Sequence, residues 1–556
     1  MAVSKGLGSS AKPIFEHNES VLGAGVLLML PALLGQGLMR TKEVYEIPKN
    51  HYYGLESIIM TLAFMALGRI KNPEQLKQCK PGEIGRIIGL DRIPETKCLR
   101  DKLKLITRQQ NAQTLNNLLI NDWYENNRDD GNFLYIDGHQ RIYYGYEANL
   151  PAKFISRQKL CLSATTEYWV NDATSMPVMM VMGELSEKLQ TAIEHTIIPQ
   201  MLQTNLLKII DLDNPPNSPQ CTFIFDREAY DTSFFQTLWQ SYRIAVITYR
   251  KNVKDLWDED DFKEKKVKLL NESINMLVCE KKITLAGHEY REIRKLNSNT
   301  HQTSMVTTHP TITTDEVAGR MFSRWSQENF FKYLIADYDF DKMIEFGVET
   351  IDPSKQVVNP EYRSIQNKIK KLKEKKGRVQ SKFYPLLENV IDGNLDKIPP
   401  ITVRQAEYKD QIDEYEAEEE KLKILIKDIP PKITLDQMQD GIRFNRLKTE
   451  SKIFMNVIKM ICYRAESAVG NLISPYLNRA EEEKRMFVKQ VINNNADLIP
   501  DYKNNTLTVV LHSLSAPRYN IAAQKLCDII TQTEAIFPDT NLRMIFKTSA
   551  ITICEE

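Results

Sequence analysis

Three acidic residues stand where carboxylates can do chemistry. Asp137 ends the apolar, β-prone run Phe133-Leu134-Tyr135-Ile136 and is followed by Gly138 and His139. Asp226 ends a second such run, Cys221-Thr222-Phe223-Ile224-Phe225, and is followed by Arg227. Both patterns fit buried strands that deliver an acid to a sheet edge. Glu328 lies between Phe322 and Tyr333, where the spacing predicts the start of an amphipathic helix. Carboxylates converging from two strand ends and a helix make a hard-oxygen site suited to Mg²⁺ or Mn²⁺. Two such ions about 3.5–4 Å apart activate a nucleophile and stabilise the leaving oxygen of a phosphodiester. Taken singly, each acid reads as a cap for a turn or a following helix; the trio in this order is the stronger signal.

Neighbouring residues add to the pattern. Arg324 and Lys332 sit four before and four after Glu328, near the same helical face. They suit phosphate oxygens beside the metals, or simple ion pairing with Glu328. His139 lies two residues from Asp137, on the same strand face, and is a candidate helper rather than a ligand. Trp325 is a candidate for stacking on an unpaired base, with packing as the alternative. Glu228 and Asp231 read as caps for the next helix, and Asp172 as a turn residue. Glu147 and Glu167 have no special setting in sequence. Cysteines and histidines do not cluster as zinc ligands. No GxxxxGK[ST], GxGxxG or GxSxG stretch is present, so nucleotide hydrolysis, dinucleotide binding and the common serine hydrolase design lack support.

Composition narrows the class. The 556 residues suggest three or four domains, and 26% charged with 42% hydrophobic residues describes an ordinary globular protein. Lys+Arg and Asp+Glu both total 73, so a DNA-binding surface must come from local segregation of charge. The eight cysteines are far apart and form no CxxC pair, which indicates a reducing compartment. The uncharged run Ser20 to Met39 is long enough to span a bilayer. Its Pro31 and four glycines, and the preceding Glu16 and Glu19, favour a buried helix pair broken at Pro31, with no membrane partner.

The elements that must position the acids follow in order. Residues 1–130 read as a helical N-terminal DNA-binding domain. Between Arg69 and Arg108 there are eleven Lys/Arg and five Asp/Glu. Within it, residues 82–108 resemble a helix-turn-helix. Leu99, Leu103 and Ile106 form its apolar stripe, and Lys97, Arg100, Lys104 and Arg108 fall largely opposite. A solvated helix face is the equal alternative. Residues 131–249 and 321–350 read as an α/β core of strands and helices. Ile142–Tyr146 is expected as a separate strand after a turn, and Gly183–Leu206 as helix. Residues 250–320 read as a mostly β insertion. Residues 361–427 read as a charged helical hairpin: nine Lys/Arg and one acid from Arg363 to Lys382 face eight acids and two Lys from Glu407 to Lys421. Gly377 is expected to break its seam, and 383–402 to join its arms. The facing charges pair, or the basic arm tracks DNA phosphates. Residues 428–556 read as a helical and β-α-β region, with a long helix over Ile442–Leu472.

These segments together resemble the DDE-type transposases of bacterial insertion sequences. The matching stretches are Tyr135–His139, Leu150-Pro151 with Ser156-Arg157, Tyr168–Asp172, Phe225–Tyr230 and Arg324–Lys332. Leu90–Pro94, Asn494–His512 and Asn520–Gln524 extend the likeness to most of the chain. The resemblance implies a ribonuclease-H-like mixed sheet, interrupted by a β insertion. It implies that Asp137, Asp226 and Glu328 bind two Mg²⁺ or Mn²⁺ ions and catalyse cleavage and strand transfer. Arg324 falls where one large branch has the Arg of a Tyr-Arg-Glu-Lys signature; the Tyr position is Met321 and the Lys position Ile335, with Lys332 as a substitute. The implied partners are double-stranded DNA, as terminal inverted repeats and target, and a second copy of the chain on paired ends. The implied location is the bacterial cytoplasm at the nucleoid. Rival expectations are a catalytically silent, transposase-derived DNA-binding protein and a structure-specific nuclease of the same fold.

Overall fold

The computed structural model describes residues 10–48, 51–125, 129, 132–155, 158–183, 187–269, 272–339, 347–391, 398–438, 443–477 and 481–549. Ser156-Arg157 of the resemblance, 340–346 of the expected core and 392–397 of the expected hairpin lie outside them. The chain forms two units. One comprises Met1–Arg141, Thr165–Phe346 and Lys448–Glu556; the other comprises Ile142–Ala164 and Gly347–Leu447.

In chain order, strand β1 (Asn18–Val21) precedes helices α1 (Leu30–Gly35), α2 (Leu55–Leu67), α3 (Pro81–Ile87), α4 (Thr96–Thr107) and α5 (Ala112–Trp123). Then come β2 (Phe133–Ile142), β3 (Ala152–Ile155), β4 (Leu160–Asn171), β5 (Pro177–Gly183), β6 (Cys221–Phe225), α6 (Thr232–Tyr242) and β7 (Ile244–Tyr249). Strands β8 (Lys263–Lys268), β9 (Ser273–Leu285), β10 (His288–Leu296) and β11 (Gln302–Thr307) lead into α7 (Thr314–Ser323) and α8 (Trp325–Tyr338). The second unit adds β12 (Val348–Glu349), β13 (Gln356–Val358), α9 (Pro360–Ile391), α10 (Ile398–Lys427), β14 (Lys432–Thr434) and β15 (Arg446–Leu447). The chain closes with α11 (Glu450–Ile473), α12 (Glu481–Asn493), β16 (Ala496–Asp501), β17 (Thr506–Leu511), α13 (Pro517–Thr531) and β18 (Arg543–Thr548).

The first unit is mixed α/β. Its large sheet runs β5-β4-β2-β6-β7-β11-β10-β9-β8. Strands β2, β6 and β7 are parallel, and every residue of β6 is buried. Continuous apolar runs suit parallel strands covered on both faces. Helix α11 is the hub beside this sheet, packing on α1, α2, α4, α5 and β5. In α2 every residue except Glu56 is buried. Burying each large aliphatic side chain there contributes about 1.5–3 kcal/mol. A second sheet has the order β1-β16-β17-β18, with β17 and β18 parallel across α13.

In the second unit α9 and α10 pack together, and their charges cross-pair. Lys376 reaches Glu416 at 3.4 Å and Glu419 at 3.2 Å, and Lys373 reaches Glu419 at 3.8 Å. Helix α9 runs through Gly377 without a break. One solvated glycine costs only about 1 kcal/mol in a helix.

Several expectations change. The N-terminal segment is not a separate helical domain: β1 pairs with β16, and α2 packs on α11. Pro31 opens α1 instead of breaking it, because its missing N–H costs nothing in a first turn. The bend falls at Gly37, whose φ of 86° suits glycine. No single described helix is long and apolar enough to cross a membrane. The bent pair Ala24–Gly35 and Leu38–Val44 passes by length and composition, and it is largely buried. Ile142–Tyr146 is not a separate strand, since β2 runs through Asp137 and Gly138 to Ile142 alongside β4. Between Gly183 and Leu206, helical turns cover only Leu189 to Met201 among the described residues. The 250–320 strands extend the core sheet, because β11 pairs with β7. Helix α11 begins at Glu450, as Arg446 and Leu447 are drawn into pairing with β12.

Gly25 lies where a β-carbon would fall 1.9 Å from the Val491 carbonyl oxygen and 3.1 Å from that of Asn494. Gly25→Ala is expected to lose about 1–3 kcal/mol, read as a lower urea midpoint at unchanged m. Gly377 has nothing within 4 Å of its β position. Gly377→Ala is expected to gain about 0.5–1 kcal/mol in the same measurement.

Candidate active site

The register of the parallel strands sets two acids side by side. Ile136 of β2 pairs with Phe225 of β6, and the next residues are Asp137 and Asp226. Each carboxylate turns one oxygen back onto its own chain. Asp137 Oδ1 accepts from the Gly138 N–H at 2.9 Å, and Asp226 Oδ1 accepts from the Arg227 N–H at 2.6 Å. The other oxygen of each faces Arg324. Asp137 Oδ2 lies 3.6 Å from Arg324 Nη1, and Asp226 Oδ2 lies 4.0 Å from Nη2.

Glu328 completes the group, with Oε1 3.5 Å from Arg324 Nη2. The Arg324 residue separates α7 from α8, closing one helix and opening the next. Side-chain exposure is 14% for Arg324, 25% for Asp137, 48% for Asp226 and 45% for Glu328. The carboxylates therefore reach solvent while the guanidinium is largely enclosed among them. The separations are ion-pair distances, longer than charge-assisted hydrogen bonds. Burial pushes the Asp137 carboxyl up to about 6. Arg324 and the Gly138 N–H pull against that rise, and the charges of Asp226 and Glu228 add to it.

The donor set tests well against a divalent cation. Three hard oxygens turn inward on one point of positive charge, which a guanidinium now supplies. Among the described residues no three acids, histidines or cysteines are already spaced as a metal cage. Arg324 stands between the carboxylates, so a metal fits there only after the guanidinium moves.

Glu328 is held by the packing of α8. Phe330 and Phe331 are buried, and Phe330 meets Trp169 and Tyr463 at ring-centroid distances of 5.7 and 5.1 Å. Further along, Arg69 donates to Tyr333 Oη and to Glu466 at 2.7 Å each, and to Asp337 at 3.1 Å. Glu466 also accepts from Tyr333 at 2.9 Å and from Arg485 at 3.3 Å. Through these bonds α8 is tied to the end of α2 and to α11 and α12.

The remaining expected residues separate. His139 is buried and stacks on Phe331 at 5.4 Å, so it shapes the wall beside Asp137. Trp325 is exposed, with Lys332 Nζ 5.8 Å from its ring centre. Lys97, Arg100 and Lys104 are exposed on α4, far along the chain from the acids, and Arg100 is paired with Glu74.

Sequence reasoning missed two carboxylates. Glu228 is not a cap: Asp231 accepts the Ser233 and Phe234 N–H groups at the start of α6. Glu228 instead lies 3.8 Å from the β position of Gly138, and its charge is felt by Asp137. Its place beside Asp226, facing the first strand, was the available signal. Glu167 is fully buried, 3.4 Å from Arg141 and 3.7 Å from Lys452. Burial alone would raise its carboxyl; Lys452 and Arg141, with His139, hold it below the ordinary range. Alternation along β2 and β4, which buries Arg141 and Glu167 together, was the signal there. Behind this pair, burial pushes the Lys459 ammonium down to about 8, against the pull of Asp339 and Glu167.

The chain belongs to the family described as "Transposase protein", whose model matches residues 2–550. A solved piggyBac transposase synaptic complex with hairpin DNA is similar at a TM-score of 0.32 and 8% identity. That match covers 51% of this chain and 59% of the other, less than two thirds of its length. A likeness at this level carries no argument about fold. No curated protein sequence matches the chain.

Arg324→Gln is expected to cost about 1–3 kcal/mol in urea unfolding, since the partly buried Asp137 loses its cation. Adding Glu328→Gln is expected to recover part of that loss, giving a non-zero coupling in the double-mutant cycle. Lys459 offers a pH test. Its folded pKa of about 8 lies below the ordinary 10.5, so the unfolded chain holds more protons between those values. Stability from this group therefore rises as pH climbs from 8 to 10.5. Lys459→Met is expected to be more stable than wild type at pH 7, by on the order of 3 kcal/mol. That gap is expected to close above pH 10.5, as followed by chemical unfolding across the range.

Proposed function

We propose that this transposase-family protein cleaves and joins DNA ends at the site formed by Asp137, Asp226 and Glu328. The observation that carries the reading is the convergence of one free oxygen from each acid on a single guanidinium. We read the core as ribonuclease-H-like. Its support is the pair of parallel strands that set Asp137 and Asp226 side by side, with Glu328 on a helix after the added strands.

In this reading the three carboxylates hold two Mg²⁺ or Mn²⁺ ions once Arg324 has swung aside. Bound there, the ions supply Lewis-acid polarisation of the scissile phosphate and a more acidic attacking hydroxyl. The protein does the rest. Gly138 and Arg227 amides fix the carboxylate rotamers through the back oxygens. Arg324, released from the acids, pairs with phosphate oxygens, and Lys332 adds a second cation. Exposed Trp325 offers a face for an unstacked base. The water oxygen bonds to phosphorus as the P–O3′ bond breaks, leaving a 3′-hydroxyl. That hydroxyl then attacks a target phosphate and displaces the target's own 3′-oxygen. The DNA substrate is the element's terminal repeats, and two copies of the chain act on paired ends. A bacterial insertion sequence in a reducing cytoplasm is the setting this reading gives.

The test is purified protein with labelled duplex carrying the element's own ends, in Mg²⁺, Mn²⁺ or chelator, beside Asp226→Ala. The expected outcome is metal-dependent nicking at the ends that falls about 10³-fold or more in the variant, a loss of about 4 kcal/mol of transition-state stabilisation. Binding without nicking by both proteins overturns the catalytic reading.

A further inference from the structure

Helix α4 carries a buried cation that the acid site does not use. Lys102 is 6% exposed, and its Nζ has no hydrogen-bond partner among the described residues. A buried ammonium without a partner is costly, and chains normally avoid it. Burial pulls its pKa below the ordinary lysine value. The same residue lines a groove of about 600 Å³ together with Lys97, Lys104 and Arg108, and with Glu95 and Asp101. Four cations thus face two acids. Lys97, Lys104 and Arg108 are exposed. Arg100, on the same helix, is spent on Glu74 and does not line the groove. The apolar stripe Leu99, Leu103 and Ile106 is buried, and α4 is seated on α11. Helix α4 is therefore a fixed wall of the groove, and Lys102 is part of that lining.

We propose that this groove seats a phosphate of the DNA backbone, with Lys102 as its buried counter-charge. The proposal rests on the reading of this chain as a DNA-acting enzyme and deepens it. The anion offsets the charge that Lys102 carries without a partner, and the exposed cations draw the duplex in. A phosphate contact fixes register and orientation on the duplex without reading its sequence. The role of α4 is then to clamp the backbone, and the residues that matter are Lys97, Lys102, Lys104 and Arg108 rather than Arg100.

The test uses full-length protein, a fluorescent 40-base-pair duplex of arbitrary sequence, and anisotropy from about 50 to 200 mM KCl. Lys102→Met is expected to weaken binding five- to tenfold at the lower salt and to reduce the salt slope by about one. Arg100→Met is expected to leave both nearly unchanged. Removing an unpartnered buried charge should not lower the melting temperature. Lys104→Met, at the exposed edge of the groove, provides a second variant with a smaller loss of the same kind. Inorganic phosphate at 20 mM is expected to compete with duplex on wild type and not on Lys102→Met. Equal affinity and slope for wild type and Lys102→Met overturns the proposal, as does an equal loss in Arg100→Met. Protection by phosphate with unchanged duplex binding assigns the groove to a free anion and overturns the DNA role. If wild type nicks its ends while Lys102→Met binds like wild type, the groove assignment falls and the proposed function stands. If wild type neither binds nor nicks, both fall.

Discussion

Three carboxylates do not gather in one small, partly desolvated volume without a cation among them. Like charges at such range raise one another's cost of ionisation. In this protein Arg324 meets that constraint, with each acid within 4.0 Å of its guanidinium. Much of the fold serves that meeting. The β2–β6 register supplies two of the acids. The change of helix at Arg324 lets the cation close α7 while Glu328 stands one turn into α8. A shift of β2 by one residue would send Asp137 to the opposite face. The parallel pairing of β2 with β6 sets the present register.

The second requirement is that α8 does not move relative to the sheet. Its anchor is polar as well as apolar. Glu466, 1% exposed, gathers Arg69, Arg485 and the Tyr333 hydroxyl. Arg69 adopts a left-handed backbone, with φ of 62°, just past the end of α2. A residue other than glycine in that region stores strain that its surroundings must over-determine. Its three carboxylate and phenol partners do so. Buried ion networks are weak evidence of stability but strong constraints on geometry once every member is satisfied. Here the network ties α8 to elements from the two ends of the chain.

How much of this could be read from sequence depended on the range of the interaction. The apolar strands that carry Asp137 and Asp226 and the helix of Glu328 were legible, because period is local, but β2 runs past Asp137 to Ile142. So was the pairing of a basic and an acidic helix, since opposite charge runs need only a short connection to meet. What failed was non-local. Ile142 continues β2 because β4 runs beside it, a fact that neither stretch states alone. The strand at Asn18–Val21 has its partner almost five hundred residues away in Ala496–Asp501. Glu167 had an ordinary setting in sequence, and its burial follows from Arg141 and Lys452 arriving from other elements. Glu228 reads as a cap in sequence, but Asp231 accepts the amides at the start of α6.

With 73 basic and 73 acidic residues, net charge cannot attract a polyanion. Many cations are committed internally: Arg69 and Arg485 to Glu466, Arg141 and Lys452 to Glu167, Arg250 and Arg294 to Glu292, Lys373 and Lys376 to the acids of α10. Those pairs hold the fold and have little left to give a ligand. The basic arm of α9, for which a DNA track is the alternative to pairing, has two of its lysines engaged with Glu419. Attraction for phosphate must then arise where positive charge exceeds its internal partners. The α4 groove is such a place, whereas the acid site is the reverse case. At the first the cation lacks an anion, and at the second the anions outnumber the cation. On the proposed reading, a polyanion would offset the first imbalance and divalent cations the second.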